Sequence, residues 1–192
     1  MLRIRAQAAA KRSRVELDIA RDALIGRRVQ VSLDPRSSGC LRLDSGAALH
    51  DDVLILLRGG SVHLGPNSSV RRGSVLNVSG ELALDGDNIL SFYNIIHCAE
   101  RIHLARFASA SEFCTMVDSR HIHDGDSEYF YENVETAPID IGRNVWLATK
   151  ASVLMGTTIG DDALVASHAV VRGEVPARAM VGGIPAKVIR QR

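Results

Sequence analysis

From Ile141 the chain repeats every six residues, as IGRNVW, LATKAS, VLMGTT, IGDDAL, VASHAV and VRGEVP. The first position of each six is branched and apolar: Ile141, Leu147, Val153, Ile159, Val165 and Val171. The second is usually small, at Gly142, Ala148, Gly160 and Ala166. The fifth is small or β-branched throughout, at Val145, Ala151, Thr157, Ala163, Ala169 and Val175. A helix repeats every 3.6 residues and a plain strand every two, so neither produces this beat. A fixed short repeat implies stacked, equivalent rungs.

Stacking gives each position a task. The first residue of each six points inward onto its equivalents in the coils above and below, where β-branching suits a pleated surface. The corner beside it needs small residues, or glycine with its freedom at positive φ. Three sixes make a triangular coil, so residues 18 apart are expected to superpose. One coil cannot bury its own inner face, so the repeats must run on. The predicted fold is therefore all-β, a parallel β-helix of hexapeptide repeats. Upstream the beat is weaker. Leu104, Ala110 and Met116 hold one register, and Leu64, Val70, Leu76 and Leu82 another. Leu82 and Leu104 lie 22 apart, which is not a multiple of six and predicts a register break in 86–98. Met116 and Ile141 lie 25 apart, so a loop must leave the coil at about 118–138.

At 192 residues the chain can bury a core as one domain. A net charge of +1 points to neither nucleic acid nor an acidic partner surface. Arg3, Arg5, Lys11, Arg12 and Arg14 cluster around an alanine run, and residues 3–24 read as a short basic helix capping the open end of the coil. The division is thus a capping segment over 1–24, a β-helix over 25–180 with its excursion loop, and a basic tail over 181–192. No apolar run has the length of a signal peptide core or a membrane span. Cys40, Cys98 and Cys114 have no motif spacing and read as reduced and structural, as in a cytoplasmic protein.

The excursion concentrates polar chemistry. Asp118-Ser119-Arg120-His121-Ile122-His123-Asp124 offers two imidazoles and two carboxylates. Histidine is the side chain best suited to take a proton from a hydroxyl near neutral pH, and a carboxylate can hold its ring. His121 is the candidate base, and Asp118, Glu132 and Glu135 are candidates to orient it. His123 reads as a solvated residue. His97, His103 and His121 could instead meet as a three-imidazole zinc site, because His103 and His121 are 18 apart. The plainer expectation is no metal. Lys187 and Arg190, beyond the turn at Pro185, could hold ligand phosphates or be part of a solvated tail.

The stretch APIDIGRNVWLATKASVLMGTTIGDDALVASHAVVRGEVPARAMVGGIPAKVIR resembles the signature of hexapeptide-repeat acyltransferases. More narrowly it is similar to the small sugar O-acetyltransferases of the maltose and galactoside type and their polysaccharide-modifying relatives. The resemblance is strongest over 104–190 and thins before about residue 60. It implies a left-handed β-helix assembled as a homotrimer in the cytoplasm. It implies acetyl-coenzyme A in a groove between neighbouring subunits, no metal, no nucleic acid and no membrane. A loop histidine serves that family as general base on an acceptor hydroxyl, which attacks the thioester directly. The stretch VDSRH places that histidine at His121. The family's coenzyme-contacting positions fall on Trp146, Ala148, Thr149, Ala166, Ser167, Arg172, Lys187 and Arg190.

Two departures stand out. Many relatives carry an asparagine near the acceptor and the developing oxyanion. By spacing that place holds Ser91 here, with Asn94 three residues on. The family's orienting glutamate falls near Asn133, which leaves Glu132 or Glu135 for the task. The leading expectation is acetyl transfer to a hydroxyl of a sugar or glycan precursor. The alternatives are a zinc hydratase on the same coil and a non-catalytic scaffold that binds sugar nucleotides.

Overall fold

The computed structural model describes residues 3–4, 13–122, 128 and 133–191, the first pair by backbone alone. Three sheets form the faces of one parallel β-solenoid, and each coil gives one strand to each. In one coil Val75–Val78 joins the first sheet, Glu81–Leu84 the second and Ile89–Leu90 the third. The next coil repeats this with Ile95–Cys98, Arg101–Leu104 and Ser109–Ala110. Alternation along each strand turns Leu76, Leu82, Leu84 and Leu90 fully inward. Strand amides bond to the coil above, and the narrow interior fills with Leu, Ile, Val and Ala columns.

The superposition predicted from the repeat holds where the repeat is clean. Leu147 lies beside Val165, and Val153 beside Val171, each pair 18 apart. The final coil is shorter, with Val165 beside Val181, 16 apart. Upstream the coils are longer. Val75 lies beside Ile95 and Ile95 beside Thr115, 20 apart each time. Leu54 to Val75 is 21, and Gln30 to Leu54 is 24. The single break expected in 86–98 is therefore absent. Instead each coil from Val75 to Asp118 carries two extra residues on the first sheet. That sheet buries two inward side chains per strand there: Leu76 with Val78, Ile96 with Cys98, Met116 with Asp118. Leu104 sits beside Leu84, not above Leu82, which explains the awkward interval of 22.

The expected N-terminal helix is replaced by strands at Arg3–Ile4, Arg14–Ile19 and Leu24–Ile25, and the described residues contain no helix. Arg14–Ile19 runs parallel to Ser38–Leu43 along its whole length. The sequence RVELDI alternates, and an open sheet edge offers it a full set of main-chain partners. Val15, Ile19, Ala23 and Ile25 pack on the end of the core. Residues 5–12, with Arg5, Lys11 and Arg12, lie outside the described residues. At the other end, 186–191 is a strand, exposed to solvent beyond Ala186. Ala186–Gln191 folds back antiparallel on Ala179–Gly183 across a cis Ile184–Pro185 bond and extends the third sheet.

The corners leave little room. A Cβ built on Gly80 would stand 2.1 Å from the Glu100 carbonyl oxygen. Gly80→Ala is expected to cost about 2–3 kcal/mol, read as a lower urea midpoint, because backbone and not a flexible side chain must give way. The three cysteines are free, with Cys98 and Cys114 buried. Burial pushes the Cys98 thiol up to about 12 and the Cys114 thiol up to about 11. Both should resist iodoacetamide at about pH 8 in the folded protein and react only after denaturation, as mass spectrometry would show. No helix of the described residues is long and apolar enough to cross a membrane.

Candidate active site

The excursion leaves the solenoid at the corner between the first and second sheets. Asp118 fills the inward position that Val78 and Cys98 hold in the coils below, and it is completely buried. Its carboxylate accepts hydrogen bonds from the amides of Ala99, Glu100 and Arg101 at 2.6, 2.8 and 2.9 Å. Three amide donors meet the requirement for burying a charge. Asp118 therefore fastens the base of the excursion to the coil below, and its carboxylate is not available to orient His121. From there Ser119–His121 pairs antiparallel with Val134–Thr136. The chain re-enters at Ile139–Ile141, where Arg101 grips Asp140 through two contacts of 2.6 Å.

Register in this ribbon sorts the predicted residues. Arg120 lies opposite Glu135, and His121 lies opposite Val134. Successive side chains point to opposite faces, so His121 and Glu135 do not share one. The Glu135 carboxylate instead pairs with the Arg120 guanidinium at 2.7 Å. His121 is exposed at the end of its strand. Glu132, His123 and Asp124 lie outside the described residues. Beside the ribbon, toward the later coils, is a cleft of about 340 Å³, lined by Val117, Ser119, Arg120, Leu154, Met155 and Arg172. Arg172 thus belongs to the hairpin side of the first sheet.

The other predicted residues gather at the opposite edge of that sheet, on the corner from the third sheet to the first. A vertical column there consists of small residues. The amide of Ser91 bonds to the Ala110 carbonyl, that of Ser111 to Leu147, that of Ala148 to Val165 and that of Ala166 to Val181. Each of these residues therefore stands over the last. Gly182 tops the column, where an added Cβ would meet Ala166 at 3.1 Å and Ile189 at 2.8 Å. Trp146, 52 % exposed, flanks the column and donates from Nε1 to the Ser111 hydroxyl at 2.9 Å. Thr149 and the exposed Ser167 lie on its other side. Lys187 pairs with Gly182 at the top, and Arg190 pairs with Met180.

Ser91 and Asn94 behave differently from one another. Asn94 is completely buried. Its amide nitrogen donates to the Ser91 carbonyl at 2.8 Å and its oxygen accepts from the Cys114 amide at 2.9 Å. It braces the corner and has no face toward a ligand, which corrects its expected place beside an oxyanion. The Ser91 hydroxyl donates to Glu112 at 2.9 Å, and Thr149 donates to the same carboxylate at 3.2 Å. Glu112 was not visible as a site residue from the sequence, because its alignment with Ser91 and Thr149 depends on coil lengths of 20 and 37. Its own backbone amide, then the Ser91 hydroxyl, hold its carboxyl below the usual range.

The zinc alternative loses its geometry. His97 lies on the first sheet between Asn77 and Val117. His103 lies on the second, beside Asp140 in register and with Nε2 3.0 Å from Asp85. With coils of 20 residues, His103 and His121 do not superpose. Among the described residues no group of three or more metal-ligating side chains converges.

No protein-family model matches the chain. It is 31 % identical over 158 residues to a probable acetyltransferase of Mycobacterium tuberculosis, a match covering 80 % of this chain and 51 % of that protein. The chain thus spans about half the length of that relative. Its fold superposes on the polySia specific acetyltransferase NeuO with a TM-score of 0.77 at 13 % identity, covering 99 % of this chain and 80 % of that one. A galactoside acetyltransferase solved in complex with coenzyme A superposes with a TM-score of 0.53 at 19 % identity, over 70 % of this chain and 64 % of that one.

Proposed function

We propose that this chain, a relative of acetyltransferases built on the hexapeptide-repeat solenoid, moves an acetyl group from acetyl-coenzyme A to a hydroxyl of a sugar or glycan precursor. The observation that carries the proposal is the column Ser91, Ser111, Ala148, Ala166 and Gly182 beside Trp146. Small side chains leave a trough in which an extended pantetheine arm would lie against the backbone. Lys187 and Arg190 at its upper end suit the coenzyme phosphates. The thioester would then reach the level of Ser91.

The proposed chemistry is direct transfer. The acceptor oxygen attacks the thioester carbonyl while the His121 imidazole takes its proton. The tetrahedral oxyanion needs donors, and backbone amides with the Ser91 hydroxyl, released from Glu112, would supply them. The C–S bond then breaks, the imidazolium returns its proton to the thiolate, and the acetyl ester and free coenzyme A leave. A residue of the 123–132 segment, with Glu132 the candidate by spacing, would orient the ring.

One chain does not complete this site. His121 and the trough flank opposite edges of the first sheet, and a strand of four residues there spans roughly 13 Å before the corners are counted. The outer face of that sheet is mixed, with Leu54, Leu56, Val75, Ile95, Val117 and Leu154 at least partly accessible among polar residues such as Asn77, His97, Thr115 and Ser152. Covering it with copies of the same chain in a closed ring would bring one copy's hairpin to its neighbour's trough. The assembly that fits is a homotrimer in the cytoplasm. The test is free-thiol release from acetyl-coenzyme A with a panel of sugars, alongside calorimetric titration of coenzyme A. Ala166→Trp should abolish coenzyme binding. Wild-type turnover without acceptor dependence, or unaltered binding by that variant, would overturn the proposal.

A further inference from the structure

Below Ser91 the column changes character. The next residue down is Arg71, whose amide bonds to the Leu90 carbonyl, and below it is His50, whose amide bonds to Val70. Small residues give way to two large basic ones at the level where the trough ends. A pocket of about 410 Å³ opens there, lined by His50, Asp51, Arg71, Arg72 and Phe92.

The charges in this pocket do not cancel. Arg27, Arg28 and Arg72 share two carboxylates, Asp51 and Asp52. Arg71 adds a further cation. Its guanidinium lies 5.6 Å from the centre of the Phe92 ring, and no described carboxylate oxygen is within 4 Å of it. Glu112 acts on Arg71 only from further off, and its two oxygens are engaged by Ser91 and Thr149. Stacking on an aromatic face fixes the plane of the guanidinium and leaves its fork of donors for a planar or tetrahedral oxyanion. Phe92 is 40 % exposed and presents apolar surface to whatever the fork holds.

Resting on the proposed acetyl transfer, we infer that Arg71, Phe92 and His50 form an acceptor subsite for an anionic group, a carboxylate or a phosphate, on the sugar that is acetylated. Successive coils are about 4.8 Å apart, so Arg71 lies about 5 Å below the level of Ser91 and His50 about 10 Å below it. That reach places the anion on the reacting sugar ring or on the residue next to it. The substrate class is then an acidic sugar or a sugar phosphate, and a neutral glycoside would leave Arg71 without its partner.

The experiment measures binding by saturation-transfer NMR at low salt, with glucuronate, glucose 6-phosphate and glucose as probes, so that turnover is not needed. At least one anionic probe is expected to bind tenfold or more tightly than glucose. Preference for glucuronate assigns a carboxylate and preference for glucose 6-phosphate a phosphate. Arg71→Ala should remove most of that preference, Arg71→Lys should restore part of it, and the thermal midpoint should be unchanged in both. If neither anion outbinds glucose, or if Arg71→Ala binds them as the wild type does, the subsite is wrong. Loss of coenzyme A binding by the wild type would instead refute the acetyltransferase proposal and leave the binding result to stand separately.

Discussion

Replacing His121 by alanine is expected to lower kcat about 10³-fold, while coenzyme A affinity, assembly size and thermal midpoint should stay near those of the wild type. The magnitude is that of removing a positioned general base. Structure should be unaffected because His121 is an exposed residue at the tip of a short ribbon, away from the core. A variant that keeps near-normal turnover would assign the base elsewhere.

Replacing Asp118 by alanine is expected to destabilise the protein by about 3 kcal/mol or more. The side chain is completely buried, and three backbone donors depend on it. Each buried donor left unsatisfied costs about 1–3 kcal/mol, and partial relaxation at the corner recovers some of the sum. Asp118→Asn retains one carbonyl oxygen and should lose less. Hydrogen exchange separates this from a general loosening. Protection should fall first at Ala99, Glu100 and Arg101, and in the ribbon that Asp118 anchors. Activity should fall with it, because the ribbon positions His121. A loss of turnover without any loss of stability would argue that Asp118 acts in the chemistry itself.

The C-terminal coils were legible where their beat is strict, and Leu147 with Val165, like Val153 with Val171, do stack 18 apart. The excursion was legible for the same reason, since a gap of 25 interrupts a period of six. The upstream coils were misread because a strand can gain two residues and keep its alternation. Val78 and Cys98 then turn inward as additional positions, and no local signal marks them. The N-terminal strand was misread because an alanine-rich basic run favours a helix in isolation, whereas RVELDI is placed by the sheet edge it meets. The site divides the same way. Trp146, Ala148 and Ala166 lie in the regular part and come together at one corner. The roles expected of Asp118, Asn94 and Glu135 rested on proximity in sequence. Burial, the corner geometry and the Arg120 ion pair decide them differently.

In the proposed assembly one copy's imidazole serves the trough of the next, and co-assembling two inactive variants, His121→Ala and Ala166→Trp, from a denatured equal mixture checks this arrangement. In a ring of three, every mixed assembly contains one interface that joins an intact hairpin to an intact trough. Random mixing should then restore about a quarter of wild-type thiol release, where each variant alone shows almost none. Recovery at that level is the predicted result. A mixture as inactive as its components, with mixed assemblies confirmed by native mass spectrometry, would contradict it.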